Sequence, residues 1–213
     1  MKTILSFGDS NTYGTRAAGG RFKRDERWTG ILQKMLGDEY YVIEEGCPGR
    51  TTVWDDPIEE GKSGKHYLLP CLVSHNPIDL VIIMLGTNDL KNRFSLSSAD
   101  VQWGMENLVH KIKNSACGLD EQVPEILLVC PIQIGILTDL SQILIGAEEK
   151  CRQLPKLYKQ LAEREGIHYL NAGDYASADE ADGLHIDKAG HANLAKSLCE
   201  KIQSIYEGAP QCP

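Results

Sequence analysis

The chain has 213 residues, 42% of them hydrophobic and 24% charged, which is ordinary for one globular domain with a sizeable core and gives no sign of disorder. Its net charge of −8, with no block of Lys or Arg, disfavours nucleic acid or an anionic membrane as a partner. No apolar run approaches transmembrane length and the first strand starts too early for a secretory signal, so the sequence predicts a cytoplasmic domain spanning residues 1–213.

Five short apolar runs predict five β-strands. Their approximate bounds are 4–7, 40–44, 79–85, 125–130 and 167–171. The third run is apolar without interruption, which is typical of a strand that helices cover on both faces. Between the strands, apolar residues at helical spacing predict helices, approximately at 28–36, 66–75, 98–112, 151–161 and 188–206.

Three details of these helices and their connections are specific enough to test. In the first helix, the residues expected to face the core are Trp28, Ile31, Leu32 and Met35. Pro155 either kinks the fourth helix or marks its real start. Residues 53–65 are rich in Asp, Glu and Gly, and they predict an exposed loop.

Strand and helix thus alternate along the chain, with connections long enough to hold a helix each. This order predicts a three-layer α/β/α sandwich with a five-stranded parallel sheet, a flavodoxin-like arrangement. In such a sheet the carboxyl ends of the strands open on one side, where ligands bind. Ser10, Gly49 and Asn88 follow the first three strands and His185 follows the fifth, so we expect these residues to lie close together.

Ser10 is the candidate nucleophile, because a serine hydroxyl becomes reactive when an imidazole takes its proton. Asp182 and His185 are three residues apart, so on one helical turn the carboxylate reaches the Nδ1 proton and leaves Nε2 free to act as base. The alternatives are purely structural roles: Ser10 caps the helix that follows it, and Asp182 is a helix N-cap.

Three donors are candidates for an oxyanion hole, which stabilises the negative oxygen of a tetrahedral intermediate. They are the Asn88 amide and the backbone N–H groups of Gly49 and Ser10. Asn88 and Gly49 also fit ordinary turns, so each alone is a weak signal.

Other chemistries fit the sequence less well. A metal site could be drawn from Asp182, His185, Asp187 and His191, but the chain has no HExxH motif and no paired CxxC, so no metal or other cofactor is expected. The first strand is followed by neither GxGxxG nor a Walker loop, which excludes the common nucleotide sites. Seven cysteines without regular spacing are expected to be reduced thiols.

Four motifs resemble the four blocks of the SGNH (GDSL-type) hydrolases and occur in the order of that family. They are Gly8-Asp9-Ser10, Gly49, Gly86-Thr87-Asn88-Asp89 and Asp182-Gly183-Leu184-His185. Longer strings, at 27–30, 42–46, 50–52 and 79–89, resemble the bacterial arylesterase/acyltransferase branch. The resemblance implies the SGNH hydrolase fold, with Ser10 as nucleophile, His185 as base and Asp182 as its orienter. It also implies Asp9 in a supporting role and Ser10, Gly49 and Asn88 as oxyanion donors.

The resemblance further implies a cofactor-free serine esterase that hydrolyses short-chain acyl esters of small molecules through an acyl-enzyme. Some members of the branch transfer acyl groups to alcohols, and some form octamers. The branch carries tryptophans where this chain has Tyr13 and Thr15, and a small residue other than glycine at Gly49, so transfer to alcohols stays open. The alternatives are a carbohydrate O-deacetylase or thioesterase with the same triad, or a non-catalytic binding module on this fold.

Residues 132–146 are apolar, carry little charge and lack a clean period. Three interpretations stay open: a lid that lines the pocket, a contact between subunits, or simple core. Together with the resemblance, this segment favours a homo-oligomer, from a dimer up to an octamer.

Overall fold

The computed structural model describes residues 1–138 and 140–207, and its centre is a parallel β-sheet. The strands are β1 (Lys2–Gly8), β2 (Tyr40–Gly46), β3 (Leu80–Met84), β4 (Glu125–Cys130) and β5 (His168–Asn171). Their order in the sheet is β2-β1-β3-β4-β5, and every neighbouring pair is parallel. The five-stranded parallel sheet predicted from the apolar runs is therefore confirmed.

Helices cover both faces of the sheet. They are α1 (Ser10–Tyr13), α2 (Trp28–Leu36), α3 (Gly64–Ser74), α4 (Ser98–Lys113), α5 (Ala147–Cys151), α6 (Leu154–Glu165) and α7 (Lys188–Glu207). α2 and α7 pack on one face, whereas α3, α4 and α6 pack on the other. Two hydrophobic cores result, one on each side of the sheet, and the predicted three-layer sandwich is confirmed.

The central strand β3 explains why its sequence is apolar without a break. Val81 and Ile83 point into the core beneath α3 and α4, whereas Ile82 and Met84 point into the core beneath α2 and α7. Because successive side chains alternate between the faces and both faces are buried, each position of β3 requires an apolar residue.

Local signals set most helix boundaries. The Ser97 hydroxyl accepts the backbone N–H of Asp100, and the Asp100 carboxylate accepts that of Ser97, which forms a capping box before α4. Gly37, at a φ of 70°, ends α2. α6 begins at Leu154 with Pro155 in its first turn, so Pro155 marks a helix start rather than a kink.

Two expectations from the sequence are wrong in part. Met35 is 45% exposed, because the last turn of α2 packs Leu36 rather than Met35 against the core. Residues 53–65 are not simply an exposed loop, since the Asp56 side chain is buried in an ion pair with Lys91. The acidic composition of a segment does not show which of its carboxylates will be buried in an ion pair.

Within residues 1–138 and 140–207, no helix combines the length and the apolar character needed to cross a membrane. Six cysteines of this part of the chain are free thiols, and all of them except Cys47 are buried. Cys212 lies outside the described residues.

A buried tyrosine on α6 supports the loop that follows β3. Tyr158 Oη donates to the carbonyl oxygen of Leu85 at 3.0 Å, and the ring has no exposed surface. The next residue, Gly86, has a φ of 126°, and a Cβ at this position would lie 2.5 Å from Tyr158 Oη. The close approach of α6 to this loop therefore depends on both residues.

We expect Tyr158→Phe to lower the free energy of unfolding by about 1–3 kcal/mol, because the buried carbonyl of Leu85 loses its donor. Chemical denaturation followed by tryptophan fluorescence measures the change. Tyr175→Phe is the control, since Tyr175 is exposed and its replacement should leave stability unchanged. Equal stability of Tyr158→Phe and the parent protein would contradict the support assigned to this hydroxyl.

Candidate active site

The turn from β1 into α1 presents Ser10 at the carboxyl edge of the sheet. Asp9 is the N-cap of α1, and its Oδ1 accepts the backbone N–H of Asn11 at 2.9 Å. The sequence left open that Ser10 only caps the helix that follows it, but the N-cap of α1 is Asp9. Ser10 itself is 7% exposed and faces a cavity.

A tight turn brings Asp182 against His185, as predicted. The ring Nδ1 of His185 lies 2.6 Å from Asp182 Oδ2. The turn is not helical, because Gly183 has a φ of 71° and Asp182 Oδ1 accepts the backbone N–H groups of Leu184 and His185 at 2.8 and 2.9 Å. Asp182 is also not a helix N-cap, since α7 begins only at Lys188.

The hydrogen bonds of this turn fix the charge and the tautomer. Burial acts to raise the pKa of Asp182, but hydrogen bonds from the backbone and ring of His185 and from the backbone of Leu184 outweigh it and hold the pKa below its usual value. An ionised Asp182 accepts the proton of Nδ1, which leaves Nε2 of His185 without a proton. This tautomer is the one that a general base requires.

Asn11 joins the serine turn to the histidine turn. Its Nδ2 donates to the carbonyl oxygen of Leu184 at 3.3 Å, and its Oδ1 accepts the backbone N–H of Ile186 at 2.9 Å. The two bonds bracket His185, so the residue after Ser10 sets the position of the imidazole. Reasoning from the sequence missed Asn11, because its partners lie more than 170 positions away.

The loop after β2 carries Gly49 in a tight turn. The backbone N–H of Arg50 donates to the carbonyl oxygen of Cys47 at 3.0 Å, and Gly49 has a φ of 81°. Within the described residues, the backbone N–H of Gly49 has no hydrogen-bond acceptor. Asn88 reaches the same loop from β3, since its Nδ2 donates to the carbonyl oxygen of Arg50 at 3.2 Å.

Two carboxyl groups of the motifs are fully buried and anchor these turns. Burial raises the pKa of Asp9 and of Asp89 to about 6, although hydrogen bonds from backbone N–H groups oppose the shift. Asp89 accepts the backbone N–H of Thr52 with both oxygens, at 3.0 and 3.1 Å. Asp89 therefore anchors the loop after β2, as Asp9 anchors the turn that carries Ser10.

These elements meet at one cavity of about 220 Å³. Of the predicted site residues, the cavity is lined by Ser10, Gly49, Asn88 and His185. Asp182 and Asp9 do not line it, and they act on it through His185 and through α1. The structure thus brings together residues from both ends of the chain.

One wall of the cavity is apolar. It consists of Leu140, Ile143, Leu144 and Leu184. The first three belong to the segment 132–146, so this segment lines the pocket, as one of the three interpretations expected. Ile136 and Ile145 of the same segment are 89% and 65% exposed, so it is not simple core.

Another part of the cavity wall carries an ion pair, formed by Lys91 and Glu59. Lys91 Nζ lies 2.9 Å from Glu59 Oε1 and 3.4 Å from Asp56 Oδ2, and Lys91 is 5% exposed. Arg93 completes the group with a 3.0 Å contact to Asp56. A ligand group with hydroxyls can hydrogen-bond to this wall, whereas an apolar group only removes its remaining water. Reasoning from the sequence missed this ion pair, because Asp56 and Glu59 fall in the segment interpreted as an exposed loop.

Two groups of side chains offer three metal-ligand atoms within 4.8 Å of one another, Glu45 with Cys71 and His75, and Glu106 with His110 and Glu165. Burial raises the pKa of Cys71 to about 12, which opposes formation of the thiolate that binds metal. In the second group, Arg164 and Lys113 already pair with the two carboxylates. The chemistry of these groups therefore does not favour a metal centre.

His191, a member of the metal hypothesis, is a structural residue. It has no exposed surface, and its Nδ1 accepts the backbone N–H of Trp28 at 3.3 Å. Asp187 of the same hypothesis accepts the backbone N–H of Gly190 at 2.6 Å at the start of α7. Burial lowers the pKa of His191 to about 4, so the ring is neutral in the folded protein at neutral pH.

Comparison with known proteins gives consistent matches. Residues 6–192 match the sequence profile of the GDSL-like lipase/acylhydrolase family. The structure of an aryl esterase from M. smegmatis superimposes with a TM-score of 0.91 at 39% identity, covering 96% of this chain and 99% of that one. A carbohydrate acetylesterase from Sinorhizobium meliloti gives 0.92 at 36% identity, covering 96% and 100%. A carbohydrate acetylesterase family member from the same organism gives 0.92 at 31% identity, covering 97% and 100%. A comparison with curated proteins gave no match.

We expect the pH dependence of stability to report the burial of His191. The pKa of this ring is lower in the folded chain than in the unfolded chain, where it is about 6.5. Its contribution to stability is therefore fully present above that value and is lost as the pH falls towards about 4. His191→Gln keeps an acceptor for Trp28 but cannot titrate. Between these two pH values the parent protein should lose on the order of 3 kcal/mol of unfolding free energy relative to the variant. Parallel denaturation profiles of the two proteins would contradict this.

Proposed function

The chain belongs to the GDSL-like lipase/acylhydrolase family and is a serine esterase that acts on acyl esters, and on this premise we propose that Ser10 is its nucleophile and His185 its general base. Asp182 orients the imidazole. One observation carries the proposal: Ser10 and His185 line the same cavity, and Asp182 holds the ring in the tautomer that accepts a proton. A serine beside an oriented imidazole is the arrangement that activates a hydroxyl.

The reaction proceeds through an acyl-enzyme. Nε2 of His185 takes the hydroxyl proton as Ser10 Oγ attacks the ester carbonyl and forms a tetrahedral intermediate. The imidazolium then gives this proton to the leaving alcohol oxygen, the ester C–O bond breaks, and the acyl group stays on Ser10. A water molecule, deprotonated by His185, then attacks the acyl carbon; the bond from this carbon to Ser10 Oγ breaks, the imidazolium returns its proton to Oγ, and the carboxylic acid leaves. Transfer of the acyl group to an alcohol in place of water stays a prediction.

We assign the oxyanion hole to the backbone N–H groups of Ser10 and Gly49 and to Nδ2 of Asn88. All three residues line the cavity, and the N–H of Gly49 has no acceptor within the described residues. The Asn88 amide uses one proton for the carbonyl oxygen of Arg50, which leaves its second proton for the substrate. A single donor of this kind contributes about 10²–10³-fold in rate.

The size of the cavity supports short acyl groups. Its volume of about 220 Å³ is below the range of ~300–1,000 Å³ that is typical for drug-sized ligands. The apolar wall, which includes Leu140 and Leu144, offers a surface for an acetyl-type methyl group. We therefore place acetyl esters of small molecules first among the substrates.

A carbohydrate O-deacetylase is the second candidate, and a specific feature favours it. The ion pair of Lys91 and Glu59 presents donors and acceptors to the cavity, which suits a sugar that carries hydroxyl groups. Two of the structural relatives are carbohydrate acetylesterases. Among the described residues, no feature of the cavity favours a thioesterase or a non-catalytic binding module. The labelling and substrate assays described next separate these two alternatives from an esterase.

Ser10→Ala should lower kcat/KM for p-nitrophenyl acetate by about 10⁴-fold or more, because the variant lacks the hydroxyl that forms the acyl-enzyme in the proposed mechanism. A fluorophosphonate probe should label the parent protein at Ser10 and leave the variant unlabelled. Ser6→Ala is the matched control, since Ser6 is a fully buried serine of β1, the strand that precedes Ser10, and its replacement should not affect labelling.

The same assay ranks the substrates. Rates on p-nitrophenyl acetate and p-nitrophenyl octanoate, an acetylated sugar and acetyl-CoA are compared for the parent protein. Acetate should exceed octanoate clearly, and comparable rates on the two would reject the short-acyl assignment. Failure of the probe to label Ser10, with no hydrolysis of any ester, would favour a binding module instead.

We also propose that copies of this chain assemble through the segment 132–146. Ile136 and Ile145 are large apolar side chains with most of their surface exposed. Leu144 belongs both to the active-site cavity and to a groove beside it that Ile136 and Ile145 line, so a neighbouring copy seated there would extend the pocket wall. Because the groove and the cavity share Leu144, we infer that the groove binds a second copy of this chain.

Ile145→Asp should shift the protein to a smaller assembly, because a charge in an apolar contact loses its hydration. Size-exclusion chromatography with light scattering measures the mass. Val73→Asp is the control, since Val73 is equally exposed, at 65%, but lies on α3. A parent protein that runs as a clean monomer would reject the assembly.

The cytoplasmic location stays a prediction, and the free thiols of the described cysteines favour it.

A further inference from the structure

Arg50 is a buried arginine whose guanidinium makes no ion pair with a described carboxylate. It is 5% exposed, and Nη1 donates to two backbone carbonyl oxygens instead, that of Gly8 at 3.0 Å and that of Glu45. Gly8 ends β1, and Glu45 lies next to the last residue of β2. The side chain therefore joins the carboxyl ends of two strands at the point where both leave the sheet.

The backbone of Arg50 holds the other parts of the site. Its N–H closes the turn that contains Gly49, through the 3.0 Å bond to the carbonyl oxygen of Cys47. Its carbonyl oxygen accepts the Asn88 amide at 3.2 Å, which orients that side chain. One residue thus contacts the strand that leads to Ser10, the turn of Gly49 and the amide of Asn88.

An arginine at this place is costly for stability. Burial lowers the pKa of Arg50, which reflects the desolvation of its charge, and a buried charge is usually paired with a carboxylate. The ring of Phe7 lies 4.1 Å from the guanidinium carbon and that of Tyr67 lies 5.2 Å from it, so aromatic faces offset part of the cost. A long apolar side chain would fill the same space without this penalty, but it would remove the link between the two strand ends. The carbonyl oxygen of Gly8 would keep only the backbone N–H of Cys47, at 3.0 Å.

We propose that Arg50 is a positioning residue that holds the three oxyanion donors in register, an inference that rests on the proposed function. The turn after β1, the turn of Gly49 and Asn88 come from three strands, and their donors must point at one oxygen atom. Arg50 ties the three together through its side chain and its backbone. Preorganised donors of this kind stabilise charge in the transition state and contribute little to binding of the neutral ester.

The test compares Arg50→Met with Arg50→Lys. Arg50→Met keeps the length of the side chain but removes its donors, and we expect kcat for p-nitrophenyl acetate to fall by about 10²-fold while KM changes by less than about 3-fold. Arg50→Lys keeps a donor and a charge and should recover part of the loss. Arg27→Met is the matched control, because Arg27 is also buried but pairs with Glu44, away from the cavity, and its loss should lower stability while kcat stays near the parent value.

The double variant Arg50→Met with Asn88→Ala should lose less than the product of the two single losses, because Arg50 acts in part through Asn88. Parent-like kcat in Arg50→Met, or a loss in KM alone, would overturn the inference. If Arg50→Met does not fold, the kcat of Arg50→Lys is compared with that of the parent protein. Equal kcat values of these two proteins would then overturn the inference.

Hydrogen exchange separates this inference from the proposed function. The hydrogen-bonded backbone amides of Cys47 and of residue 50 should exchange faster in Arg50→Lys than in the parent protein and in Arg27→Met, whether or not the protein hydrolyses the ester. Unchanged exchange would overturn the positioning assignment. A parent protein that neither hydrolyses esters nor reacts with the phosphonate would reject the proposed function. The exchange rates would still show whether Arg50 holds the turn of Gly49 in place.

Discussion

The parallel pairing of β1 with both β2 and β3 is the constraint on which the site depends. Gly8, the last residue of β1, is paired with Gly46 on one side and with Met84 on the other, so the three strands leave the sheet at the same level. A shift of one residue in any strand would turn its side chains to the opposite face, and the two apolar cores prevent this. The sheet therefore delivers three loops to one point before any polar contact forms.

The polar groups that refine this arrangement are buried at a cost. Asp9 and Asp89 have raised pKa values because burial removes their carboxyl groups from water, and Arg50 lacks a carboxylate partner within the described residues. Asp9 and Asp89 accept backbone N–H groups of the turns, and Arg50 donates to carbonyl oxygens at the ends of β1 and β2. Stability is thus given up to hold backbone N–H groups in fixed directions, which is what charge stabilisation in an esterase requires.

The sequence was sufficient for the sheet, because five apolar runs separated by helical patterns leave few other arrangements. It also identified the contact of Asp182 with His185, but it placed them on a helical turn. In the structure they lie in a turn in which Gly183 has a positive φ. The spacing of Asp182 and His185 alone does not distinguish this turn from a helical one. Asn11 and Arg50 were missed for a different reason. Their roles arise from contacts with backbone atoms far away in the chain, and such contacts leave no pattern in neighbouring residues.

The two hydrogen bonds of Asn11 to Leu184 and Ile186 have a consequence for biosynthesis. A nascent chain that has emerged from the ribosome as far as β4 already contains Ser10 and the three proposed oxyanion donors, yet it lacks His185, the proposed base, and both partners of Asn11. With His185 as the proposed base, ester hydrolysis requires that the segment before α7 has docked against the turn after β1. Under this assignment, enzymatic turnover reports that the last part of the chain is in place, and not only that the sheet has formed.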